Sequence, residues 1–138
     1  MTNKKIAEQY AHHALKGEGS HLFIEGDTIY SYGHHFPIAT RLKGGIYLFN
    51  ASGYSNTTRR HKSRVLTALM NMNAETIEAT TQKSEVWPKA LEIDMDYLVN
   101  KSNECIAKAG RAQSGEMKKI WMDEAHEYAH MADLAKSI

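Results

Sequence analysis

His126-Glu127-Tyr128-Ala129-His130 sets two imidazoles four residues apart with a carboxylate beside the first. On a helix that spacing turns both rings to one side. H-E-x-x-H is the pattern by which metalloproteases hold a catalytic zinc, the Glu serving as general base. The chemistry on offer is metal-dependent hydrolysis with His126 and His130 as ligands and Glu127 as base. Two features weigh against it. Few residues follow His130 to supply a third ligand. At about 100° per residue, the pair falls opposite the apolar stripe of Met117, Ile120, Trp121, Tyr128, Met131 and Ala135, on a side shared with Lys119, Asp123 and Asp133. A solvated polar face reads the same way.

A second constellation is Thr57-Thr58-Arg59-Arg60-His61-Lys62-Ser63-Arg64. At the start of a helix, hydroxyls and cations beside unpaired N–H groups make a cradle for phosphate or carboxylate. The same cations oppose the helix dipole and cost stability, and a locally unfavourable choice of that kind marks function. Thr57, Thr58, Arg59, Arg60, His61, Lys62 and Arg64, together with Arg41 and Lys43 from the same basic stretch, are the candidate anion- or partner-binding residues. The competing reading is a basic face that pairs with an acidic segment of the same chain.

The third constellation is Tyr30-Ser31-Tyr32-Gly33-His34-His35. Strand alternation lines up Tyr30, Tyr32 and His34, and aromatic rings beside cations are how sheets stack unpaired bases. Tyr30, Tyr32, His34 and His35 are therefore candidate aromatic contacts. Against this, Ile29, Ser31 and Gly33 make a thin core face, which favours tyrosines packed inward beneath a helix.

The pair His12-His13 and the lone His21 have no partners at ligand spacing. There is no Ser/His/Asp order, no P-loop and no dinucleotide-binding glycine pattern, so no cofactor is expected. Cys105 is the single cysteine and permits neither an internal disulfide nor a cysteine-based zinc site. No leader with a cleavage site precedes the first helix, and no run of about 18 apolar residues could span a membrane. A cytoplasmic setting, with no membrane partner, is the expectation. The 138 residues, 42% hydrophobic and 24% charged, fit one folded domain and exclude collagen-like and disordered classes.

The net charge of +1 conceals a segregation. Residues 28–74 hold Arg41, Lys43, Arg59, Arg60, Lys62 and Arg64 with no acid, while the segments on either side carry more acids than bases. Those cations need elements to position them. Ile6, Tyr10 and Leu15 with Ala7, Ala11 and Ala14 predict a helix from Asn3 to Lys16, stopped by Gly17 and Gly19. From Ser20 come four short runs rich in aromatic and β-branched residues, 21–25, 28–32, 36–42 and 46–50, separated by Gly26-Asp27, Gly33-His34-His35 and Gly44-Gly45. Turns so short force antiparallel neighbours, and hence a meander, with an irregular start at Pro37.

A helix capped by Ser55 or Asn56 follows from Thr57 to about Met72, with Val65, Leu66, Leu69 and Met72 toward the sheet. Residues 75–81 form a fifth strand or a connection. Pro88 opens a helix along Leu91, Met95, Leu98, Ser102, Cys105 and Ala109, and a last helix completes a hairpin.

Leu22-Phe23-Ile24-Glu25-Gly26, Ile29 to Ala39 (IYSYGHHFPIA), Tyr47-Leu48-Phe49-Asn50 and Tyr54 to His61 (YSNTTRRH) together resemble an uncharacterised family of small proteins of bacteriophages and bacterial mobile elements. The resemblance covers about a third of the chain and leaves out the C-terminal hairpin. It implies a phage-type origin, with the host cytoplasm as location, and assigns no catalytic residue.

The sequence thus predicts a single α+β domain over 1–138: an antiparallel meander of four to five strands with a covering helix (20–81), an N-terminal helix, and a helical hairpin at 88–137. Three functions follow. The basic region 28–74 engages nucleic acid or an acidic surface of a host protein, as an inhibitor of a host defence or nucleic-acid enzyme. Alternatively the HEYAH motif serves a metal-dependent hydrolase, or the hairpin seam builds a homodimer with a structural or assembly role.

Overall fold

A computed structural model describes residues 2–32, 36–52, 56–81 and 90–138. It begins with α1 (Asn3–Ala11), whose first turn is capped by Thr2, its side chain accepting from the Lys5 amide at 3.2 Å. Strands β1 (Lys16–Glu18), β2 (Leu22–Glu25), β3 (Thr28–Ser31), β4 (Pro37–Arg41) and β5 (Ile46–Asn50) pair in sequence order, each antiparallel to the last. Gly26 takes φ +65 in the two-residue turn that joins β2 to β3, a conformation open to glycine at no steric cost. The irregular start expected from Pro37 coincides with a register shift beside Ile29 and Tyr30.

The α+β class and the meander follow the sequence reading, but among the described residues the sheet has seven strands and is mixed. Helix α2 (Asn56–Asn71) is long enough to carry the chain back along the sheet, so β6 (Glu75–Thr81) lies parallel to β5, with Leu48 opposite Ile77. The remaining additions are short. Residues 16–18, predicted as the end of a helix and its stop, form β1 because α1 ends at Ala11. Leu91–Glu92, predicted as helix, form β7 against Thr80 and Thr81. The helix instead starts at Met95, where the Asp94 carboxylate accepts from the Tyr97 amide at 3.0 Å. Ser55 and Pro88, expected at the starts of helices, lie outside the described residues, and so does the side chain of Asn56.

By its internal contacts the chain divides into two compact units, Met1–Glu92 and Ile93–Ile138. In the first, α1 and α2 pack together over one sheet face: Ile6, Tyr10, Val65 and Leu69 meet Leu22, Ile24, Ile29, Ile38, Tyr47 and Phe49. Enclosing a side chain as fully as Ile6, Leu22, Ile29 or Leu69 stabilises by about 1.5–3 kcal/mol. Gly17 and Gly19 on β1 and its turn make room for that helix layer. A Cβ on Gly19 would lie 2.9 Å from Ile6 Cγ1 and 3.0 Å from Asn3 Oδ1.

In the second unit α3 (Met95–Arg111) and α4 (Gly115–Lys136) form an antiparallel hairpin. Ser102 Oγ donates to the Ala125 carbonyl at 3.0 Å, and the Lys108 ammonium sits 4.5 Å from the Trp121 ring centre. Leu98, Cys105 and Ala109 of α3 are buried, as are Ala125 and Ala132 of α4. Of the predicted stripe on α4, Trp121, Tyr128, Met131 and Ala135 are half-buried while Met117 and Ile120 are exposed, and the most enclosed positions of that helix are Ala125 and Ala132. Among the described residues no helix is long and apolar enough to cross a membrane.

Candidate anion-binding site

Helical periodicity sorts the basic run into two sides. Thr57, Arg60, His61 and Arg64 recur at i, i+3, i+4 and i+7 and so share one face of α2. They line an open pocket of about 260 Å³ together with Asn3 of α1, Ser20 and His21 of the β1–β2 connection, and Tyr32 at the end of β3. Among the described residues that line it, each is cationic or a neutral hydrogen-bonding group and none is a carboxylate.

The pocket is held by a short network. Asn3 Oδ1 accepts from the backbone amides of His21 at 3.0 Å and Leu22 at 3.2 Å, and from Ser20 Oγ at 3.3 Å. With its oxygen so engaged, the Asn3 amide nitrogen is the group left facing His61 Nε2, at 3.4 Å. Nε2 therefore accepts, and the imidazole carries its proton on Nδ1. That edge donates to Ser31 Oγ at 2.7 Å. Both partners are enclosed, Ser31 at 1% and His61 at 4% exposure. Burial, followed by the neighbouring His21 and Arg64, pushes the His61 pKa below the ordinary histidine value, in keeping with a neutral ring.

Three rings meet at the pocket. His21 and Tyr32 stand edge-on with centroids 4.6 Å apart, Tyr32 and His61 are 5.4 Å apart, and His21 and His61 are 5.9 Å apart. Tyr32 is 52% exposed and has φ +63, a left-handed conformation that costs a bulky residue about 1–3 kcal/mol. Its amide donates to the His21 carbonyl at 2.9 Å, which ties the two ring-bearing segments together.

The other predicted binding residues do not line the pocket. Arg41, grouped by sequence with the partner-facing cations, is internal. Its guanidinium donates to the Tyr10 and Ala14 carbonyls at 2.8 and 3.2 Å, pairs with Asp27 at 3.4 Å, and lies 4.7 Å from the Tyr10 ring centre. It closes the C-terminal end of α1, where orphan carbonyls attract a cation. Burial drives the Tyr10 hydroxyl pKa far up, and that hydroxyl donates to the Asp27 carbonyl at 2.7 Å.

Lys62 turns to the sheet. Its ammonium donates to the Ser52 carbonyl at 2.7 Å, lies 5.5 Å from the Phe49 ring centre, and has its pKa lowered chiefly by burial. Thr58 is buried, Arg59 is exposed but does not line the pocket, and Lys43 stands in the turn before β5.

The expected alignment of Tyr30 with Tyr32 does not occur. Tyr30 stacks on Phe23 across β2 and β3 at 5.2 Å, on the face opposite Leu22 and Ile24, so it neither underlies α2 nor reaches the pocket. The strand ends at Ser31, and the left-handed Tyr32 breaks the alternation. His34 and His35 lie outside the described residues. His126 and His130 are both exposed on α4, and among the described residues no group of three or more His, Cys, Asp or Glu side chains could hold a metal.

Asn3, Ser20, His21 and Ser31 are pocket or support residues that spacing could not reveal: Asn3, His21 and Ser31 meet His61 of α2 across a long stretch of chain, and Ser20 meets Asn3. One signal was available: the i, i+3, i+4, i+7 recurrence of Thr57, Arg60, His61 and Arg64 picks out their common face. No family model, no curated protein and no solved structure matches the chain.

Proposed function

We propose that this protein binds nucleic acid through the pocket on the first two turns of α2. Arg60 and Arg64 engage backbone phosphates. Tyr32, half exposed beside them, offers its ring to an unpaired base, which favours single strands over duplex. The observation that carries the reading is the composition of the lining: two arginines and an exposed aromatic ring among hydrogen-bonding groups, with no carboxylate among the described residues to repel a phosphate. The resemblance to phage and mobile-element proteins supports a role in the host cell, where such binding would compete with a host nucleic-acid enzyme.

Fluorescence anisotropy with a labelled single-stranded oligonucleotide, repeated across a salt series, tests it. Binding should weaken steeply with salt, and Arg60→Ala with Arg64→Ala together should flatten the log–log slope by about 1.4, at ~0.7 per phosphate contact on a single strand. Affinity indifferent to salt, or a preference for an acidic protein surface over any oligonucleotide, would overturn the proposal.

A further inference from the structure

Of the cations between residues 28 and 74, the fold sets two on the pocket. Arg41 closes the end of α1, the Ser52 carbonyl holds Lys62, Lys43 stands in the turn before β5, and Arg59 lies off the lining. Arg60 and Arg64, one turn apart on α2, are exposed, and among the described residues no hydrogen bond or ion pair engages either. A protein that tracks a strand lays its cations along about 4–16 nucleotides. Here the free charge is gathered at one point instead. Arg64 also lines the neighbouring groove of about 230 Å³ between α1 and α2, where Glu8 sets a carboxylate beside Lys4. A row of phosphates continuing that way meets an anion.

We infer that the pocket holds the phosphorylated end of a strand, a terminal phosphomonoester rather than a linking phosphodiester; the inference rests on the nucleic-acid reading. A linking phosphate carries one negative charge, whereas a monoester carries close to two near neutral pH and offers three acceptor oxygens. Two guanidinium groups, each a rigid fork of N–H donors, match that dianion in charge and in donors. Thr57 places the pocket at the positive end of the α2 dipole, which favours the more highly charged group further.

The pocket volume of about 260 Å³ is smaller than the roughly 300–1,000 Å³ of sites that enclose a drug-sized molecule, and suits one phosphate with its sugar rather than a succession of them. Tyr32, half exposed at the rim, stacks on the terminal base. The His61 ring is bonded on both nitrogens, to Ser31 and to Asn3, so it serves as a wall that fixes the arginine-bearing face of α2 against β3 and α1.

The test uses the full chain and one single-stranded sequence, labelled internally, that carries a 5′-phosphate, a 3′-phosphate or hydroxyls at both ends. Anisotropy titrations are run at one salt concentration. One of the phosphorylated strands should bind on the order of tenfold more tightly than the hydroxyl-ended strand, the worth of a single charge-assisted hydrogen bond. Arg60→Ala with Arg64→Ala, both at exposed positions, should abolish that preference, and Arg59→Ala, on the same helix outside the pocket, should keep it. Equal affinity for the three strands overturns end recognition and leaves the binding reading standing, and a preference that survives the loss of both arginines overturns its assignment to this pocket. Adenosine 5′-monophosphate binding as tightly as the phosphorylated strand gives the pocket to a free nucleotide and overturns the strand end. Failure to bind any strand overturns both readings.

Discussion

His61 Nδ1 donates to Ser31 Oγ across 2.7 Å, inside the protein, and so joins the pocket face of α2 to the last residue of β3. Ser31→Ala removes the acceptor and strands a buried N–H. We expect a loss of about 1–3 kcal/mol in urea unfolding, the usual cost of an unsatisfied buried polar group. A variant as stable as the parent would mean that His61 finds another acceptor.

The same burial sets a dependence on pH. The folded chain disfavours protonated His61, so near and below the ordinary histidine value of 6.5 the unfolded chain binds more protons. Stability should therefore fall as pH drops through and below that value, and should recover above it. His21 and Arg64 beside the ring act in the same direction as burial. Urea midpoints at acid and mildly alkaline pH, compared between the parent and His61→Gln, isolate this contribution. The acid-side loss should be smaller in the variant.

Asn3 offers a sharper probe, because its two amide atoms do different work. Asn3→Asp keeps an oxygen for the His21 and Leu22 amides and replaces the donor facing Nε2 with a carboxylate oxygen. The negative charge should raise the His61 pKa above its present depressed position, read as an upward shift of its imidazole titration by NMR. A downward or absent shift would contradict the assignment of Nε2 as acceptor.

Arg41 and Arg64 belong to one basic stretch and have opposite roles. Arg41→Met should cost about 2 kcal/mol, because the Tyr10 and Ala14 carbonyls lose a charged donor at the end of α1. It should leave the salt slope of oligonucleotide binding unchanged. Arg64→Ala, at an exposed position, should reduce that slope by about 0.7 and leave the urea midpoint within ~0.5 kcal/mol of the parent.

Local chemistry made much of this fold legible. Gly26-Asp27 announced a tight turn, and the short loops after it forced the first strands antiparallel. Val65 and Leu69 at helical spacing announced the buried face of α2. What stayed hidden was relational. Tyr30 and Tyr32 have the spacing of one strand face, but the backbone at Tyr32 turns left-handed and separates them. Arg41 has the composition of a surface cation, yet the helix end it closes lies far back in the chain. His21 has no partner in its neighbourhood and gains its place from Asn3, a residue of α1.

By itself the sequence determined the four strands of the meander and most of the helical segments, that the cations gather between residues 28 and 74, and which face of α2 carries Thr57, Arg60, His61 and Arg64, because each of these depends on neighbours a few positions away. Only the tertiary structure decided which cations line a pocket, and which proton His61 carries. Those follow from hydrogen bonds and burial among α1, the β1–β2 connection, β3 and α2, and groups that distant in the chain share no period a sequence can display.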